Sequence, residues 1–223
     1  MIENICTLLS DKISDNLKVS RDEKAVIHYG LFAIIHTSIS ILSIIVVGSM
    51  LGVFIPSLIL SLAAVILRKY SGGAHASTPE SCAVIGVIIS VGGAWGLAQV
   101  NWNIWCVVIW VIATFIFSFY KVYQLAPVDS VEKPIRKQEK KEMLKKKSIR
   151  TLNVYCIGII VLIAIYFIQH KEVILVWIMC ICFGIIWQIF TLSPLGHLAV
   201  KKIDLFLINT IFRGKGEGTN EKN

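Results

Sequence analysis

Six uninterrupted apolar blocks, at 25–48, 51–67, 82–100, 104–123, 152–168 and 173–192, constrain this 223-residue chain more than any other feature. Each is near the roughly 20 residues that carry a helix across about 30 Å of bilayer hydrocarbon. Lipid offers no hydrogen bonds, so a helix, which pairs its own backbone, is the form such a block adopts there. The blocks therefore predict an all-α integral membrane protein with six transmembrane helices, organised as one membrane-embedded domain over residues 1–200. A composition 56% hydrophobic and only 16% charged agrees with this.

The flanks fill in the arrangement. Residues 1–24 carry both signs of charge and no apolar core, which predicts an amphipathic interfacial helix rather than a cleavable signal. At a period of 3.6, Ile2, Ile5, Cys6, Leu9, Ile13 and Leu17 share one face, with Asn4, Thr7, Asp11, Ser14 and Lys18 opposite. Ser20 and Glu23 have the spacing of a capping box that opens the first span. Of the 22 lysines and arginines, all but Lys171 fall on alternate connecting segments, and basic residues are retained in the cytoplasm. Both termini and the connection between the second and third blocks are thus predicted to be cytoplasmic. Residues 201–223 end in Gly214-Lys215-Gly216-Glu217-Gly218-Thr219-Asn220 and read as a largely disordered tail.

Charge and cysteine usage narrow the chemistry. The net charge of +8 is spread over membrane flanks without interleaved aromatics, a pattern that suits anionic lipid and not nucleic acid. Cys6 and Cys82 are predicted to face a reducing compartment, and Cys106, Cys156, Cys180 and Cys182 lie in apolar blocks, so no disulfide framework is expected. Cys180 and Cys182 stand two apart, which on a helix points them to different faces. No His-Glu-x-x-His pattern occurs, and no metal or cofactor is predicted. The blocks contain almost no charge to mark an ion pathway; His36, Gln99 and Gln188 are their notable polar residues.

The segment Arg68-Lys69-Tyr70-Ser71-Gly72-Gly73-Ala74-His75-Ala76-Ser77-Thr78-Pro79-Glu80-Ser81-Cys82 is the polar interruption that carries chemistry. It sets an imidazole and a thiol seven residues apart, the pair a cysteine nucleophile needs. Thr78-Pro79 or Ser77-x-x-Glu80 predicts a helix start, which places Cys82 in or near a first turn whose dipole favours the thiolate. Lys69 suits a helix C-terminus at the membrane surface. Arg68 suits it too, or offers a fork of donors to a carboxylate or an oxyanion. Gly72-Gly73 predicts a plain turn or a backbone that allows close approach. Glu80, Ser77 and Thr78 read as caps, leaving no evident third member of a triad.

With these residues in view, the chain resembles the accessory gene regulator B (AgrB) family, the membrane cysteine endopeptidases of Gram-positive quorum sensing. The resemblance rests on Arg68-x4-Gly73-x-His75-x6-Cys82, on Ala126-Pro127-Val128-Asp129 and Lys133-Pro134-Ile135 after the fourth block, and on length and hydropathy. It implies a protease that cuts a small propeptide through a thioester and helps return part of it as a cyclic thiolactone, with Cys82 as nucleophile and His75 as base. It also implies a propeptide partner with an internal cysteine and an acidic C-terminal segment, and leaves a homodimer open. Residues 124–150 form a predicted loop with nine basic and four acidic residues, in which Lys145, Lys146 and Lys147 could hold that acidic segment while Asp129 and Glu132 shape the loop. The rival expectation, resting on the six spans alone, is a non-enzymatic transporter or exporter of a small peptide.

Overall fold

A computed structural model describes residues 2–17, 19–128 and 137–210. Asp129, Glu132 and Lys133-Pro134-Ile135 of the proline-bearing loop, Lys18, and the glycine-rich end at 214–220 lie outside the described residues. The described residues are helical apart from short connections and one isolated parallel bridge, and six of the helices are long and apolar enough to span a membrane. This is the predicted fold class.

The chain divides into two compact units, Met1–Ser43 and Ile44–Asn223. In the first, α1 (Ile2–Leu17) is tied to the start of α2 (Arg21–Met50) by the Asp11–Lys24 ion pair at 2.9 Å and by Thr7 Oγ1 at 3.4 Å from His28 Nε2. The expected capping box is present. The Ser20 amide donates to Glu23 Oε2 at 2.8 Å, and the Glu23 amide donates to Ser20 Oγ at 3.4 Å. Ile5, Leu9 and Leu17 are exposed on α1, the arrangement an interfacial helix offers to lipid; Ser14, assigned to the polar face from its spacing, is buried.

In the second unit, α8 (Glu172–Leu192) is the most enclosed helix and packs against α3 (Phe54–Ser71), α6 (Ile104–Leu125) and α7 (Gln138–Gln169). Leu67, Val122, Leu152, Ile178, Ile185 and Ile189 fill the space between them. At Gly184 the α3 and α8 backbones nearly touch, since a Cβ there would stand 2.5 Å from the Leu60 carbonyl oxygen. Small residues permit such close helix contact in membranes, where packing rather than the hydrophobic effect drives association. The Tyr155 hydroxyl adds a cross-helix bond to the Ala63 carbonyl at 2.9 Å.

Three boundaries differ from the sequence expectation. The third span is α4 (Pro79–Val87) and α5 (Gly93–Ala98) joined by a π-helical turn at Ile88–Gly92. Residues 138–150 are not loop but the first turns of α7, because Gln, Glu, Lys, Met and Leu with no Gly or Pro continue a helix beyond its apolar part. Residues 201–210 are likewise not disordered: they complete α9 (Pro194–Thr210). That helix turns sharply away from α8. Ser193 Oγ accepts from the Gly196 amide at 3.1 Å, Pro194 opens the helix, and a Cβ on Gly196 would run into the Phe190 carbonyl.

Candidate active site

The site is built where α3 ends. Ser71 closes the helix, Gly72 follows at φ +72° and Gly73 at φ +134°, conformations that side chains other than glycine rarely adopt. Sterics demand glycine as well as φ: a Cβ on Gly72 would collide with the Val128 carbonyl oxygen, and one on Gly73 would stand 2.7 Å from Thr191 Oγ1. Close approach, not a plain turn, is what Gly72-Gly73 provides.

Polar bonds from three directions fix this backbone. Buried Gln188 on α8 donates from Nε2 to the Gly72 carbonyl at 2.7 Å and to Ser71 Oγ at 3.1 Å. One turn on, the Thr191 carbonyl accepts from the Ala74 amide at 2.9 Å, which satisfies one of the carbonyls a helix C-terminus leaves unpaired. On the other side, the Val128 amide donates to the Ser71 carbonyl at 2.9 Å. Arg68 completes the clasp by turning its guanidinium to the Ala74 carbonyl. An unpaired carbonyl at this depth would cost about 1–3 kcal/mol, so each of these bonds selects one loop conformation.

His75 follows directly. It lies exposed in the irregular segment between α3 and α4. Thr78 then caps α4, its Oγ1 accepting from the Ser81 amide at 3.2 Å, with Pro79 as the first helical residue. Of the two predicted starts, this is the Thr78-Pro79 one. The Cys82 amide donates to the Thr78 carbonyl at 3.1 Å, the first bond of the helix, so Cys82 sits in the opening turn with its thiol exposed. The positive end of the α4 helix dipole lies at this opening turn. Cys180 and Cys182, by contrast, are buried among apolar side chains, and Cys106, though exposed near the start of α6, has no histidine on its connection.

The structure thus places Arg68, Gly73, His75 and Cys82 on one connection between two spans. The lysines divide. Lys147 Nζ stands 5.8 Å from the ring centre of Tyr70, beside the loop, whereas Lys145 lies 4.1 Å over the Tyr123 ring at the end of α6 and Lys146 is simply exposed. Gln188 and Thr191 were not connected to the site by sequence, although a lone amide in an apolar block was the available signal.

A second unanticipated residue is Asp204 on α9. Its Oδ2 accepts from the Ser77 amide at 2.8 Å. Burial pushes the Asp204 carboxyl upward, but hydrogen bonds from Ser77 and Ser81 outweigh it and hold the group below the ordinary aspartate value.

Comparison with known proteins agrees with this construction. The family model described as Accessory gene regulator B matches residues 6–192, nearly the whole chain. The chain belongs to the AgrB family. It is 36% identical to AgrB-like protein 2 of Clostridium perfringens strain 13 over 92% of this chain and 98% of that protein. It is 35% identical to an AgrB-like protein of C. perfringens strain SM101 over the same shares. An AgrB-like protein of Listeria monocytogenes EGD-e is 26% identical over 79% of each chain. No solved structure matches. Membership of the AgrB family gives this multi-pass membrane protein a role in the accessory gene regulator system. The family match ends at Leu192, so α9 and Asp204 lie beyond it.

Proposed function

We propose that the protein is a membrane cysteine endopeptidase that cleaves a small propeptide and helps cyclise the product to a thiolactone signal. The observation that carries this is an exposed cysteine in the first turn of α4, on the same braced connection as an exposed histidine. A tightly held glycine loop serves a reactive pair better than it serves a pore.

The chemistry balances with these groups alone. His75 takes the Cys82 proton, and the thiolate attacks a peptide carbonyl of the substrate. The C–N bond breaks as His75 returns its proton to the leaving amine, leaving a thioester between substrate and Cys82. The thiol of the substrate's internal cysteine then displaces Cys82, exchanging one thioester for another and restoring the enzyme thiol. Holding that cysteine near the acyl carbon gives it the advantage over water that ring closure requires. Arg68 offers its remaining donors to the negative charge that develops in the tetrahedral states.

The propeptide approaches from the cytoplasmic side of a Gram-positive cell membrane, where positive-inside retention places the Arg68–Cys82 connection. Lys147 and its basic neighbours on α7 attract an acidic substrate segment towards Tyr70. Co-expression with a short propeptide that carries an internal cysteine and an acidic C-terminal segment tests this reading. Cys82→Ala and Cys82→Ser are expected to insert normally into the membrane yet leave the propeptide uncut, since neither supplies a thiolate. Cleavage at the normal rate by Cys82→Ala would refute the proposed nucleophile.

A further inference from the structure

Among the described residues, Asp204 is a carboxylate buried on an otherwise apolar stripe. Gly196, Val200, Asp204 and Leu207 form the inward face of α9, at the three- and four-residue steps of a helix. Val200 and Leu207 join a cluster with Ala74, Ala76, Val84 and Ile85. Ala74 and Ala76 flank His75, while Val84 and Ile85 follow Cys82 by two and three positions. One face of α9 therefore grips the backbone that carries both reactive side chains, which are themselves exposed.

A buried charge in such a stripe is costly unless its bonds are needed where it stands. Asp204 makes its bond to the Ser77 amide, two residues beyond His75 and next to the Thr78 cap. Its other carboxylate oxygen, Oδ1, is buried as well. A leucine would pack the stripe at lower cost, and a leucine cannot accept from Ser77.

We propose that Asp204 is a positioning residue for the His75–Cys82 pair, locking the segment that carries His75 onto the first turn of the helix that carries Cys82. This rests on the catalytic reading above. It also gives the residues after the last span a part in the chemistry, although their composition reads as a largely disordered tail over 201–223.

The test needs no propeptide. Iodoacetamide reacts with the purified full-length protein in detergent, and site-resolved mass spectrometry follows alkylation of Cys82 at neutral pH. Asp204→Leu keeps α9 docked through apolar packing but removes the acceptor; it is expected to unfold no earlier than wild type and to alkylate Cys82 about tenfold more slowly. Asp204→Asn, whose amide oxygen still accepts from Ser77, is expected to stay within about threefold of wild type. Because the effect runs through His75, Asp204→Leu combined with His75→Ala is expected to be no slower than His75→Ala alone.

A wild-type rate for Asp204→Leu, equal losses in the Asn and Leu variants, or losses that multiply with His75→Ala would each overturn the proposal. Failure of the catalytic reading looks different: His75→Ala would then alkylate at the wild-type rate whatever stands at 204, and the proposal would fall with it.

Discussion

Gly73 and Thr191 are packed so closely that a Cβ on the glycine would meet the threonine hydroxyl oxygen at 2.7 Å. The contact joins the end of α3 to the end of α8, immediately before His75. Gly73→Ala adds that collision to the strain of a side chain at φ +134°, together about 1–3 kcal/mol. If the strain falls on the reactive loop conformation, propeptide processing should drop by about tenfold or more. Adding Thr191→Ala removes the collision but not the φ strain, so it should restore processing in part. Processing rates of the single and double variants, with thermal unfolding in detergent, check both expectations; full activity in Gly73→Ala would show that the loop is not held as described.

Of the three adjacent lysines, Lys147 alone is placed beside Tyr70 and the site loop. Lys147→Gln is therefore expected to weaken propeptide binding more than Lys146→Gln does. Exposed attraction is screened beyond about 8 Å at physiological ionic strength, so binding to the wild type should weaken as salt rises and binding to Lys147→Gln should respond less. Titrating the propeptide at several salt concentrations measures both slopes. Identical slopes would leave Lys147 with a role in topology only.

Orientation follows from the near-complete segregation of basic residues. A cysteine introduced at Asn101, in the connection between α5 and α6, is expected to react with an impermeant thiol reagent on intact cells, while Cys82 is spared until the membrane is opened. The reverse pattern would put the site outside and exclude a cytoplasmic propeptide.

Local features were legible in the sequence and distant ones were not. The apolar blocks located all six spans because each is set by its own composition. The Ser20–Glu23 box and the Thr78-Pro79 cap were readable because their partners lie within three residues. The bonds that brace the site join residues 116 and 127 positions apart, Gln188 to Gly72 and Asp204 to Ser77. No periodicity reports such a pairing. Asp204 did leave a trace, since it interrupts the Val200–Leu207 stripe. That trace was masked by basic and glycine-rich neighbours that read as a solvated tail. The polar start of α7 was missed for a related reason: a hydropathy block marks where lipid begins, not where the helix does.

The most direct measurement looks for the thioester on Cys82. A propeptide whose internal cysteine is replaced by serine lacks the thiol for exchange, so the acyl group should remain on the enzyme long enough to be trapped. Mass spectrometry of the acid-quenched full-length protein should then show Cys82 carrying the N-terminal part of the propeptide, in a bond cleaved by hydroxylamine, with His75→Ala acylating far more slowly. Cleavage of that propeptide by an enzyme that carries no adduct, or an adduct on any residue other than Cys82, would contradict the mechanism.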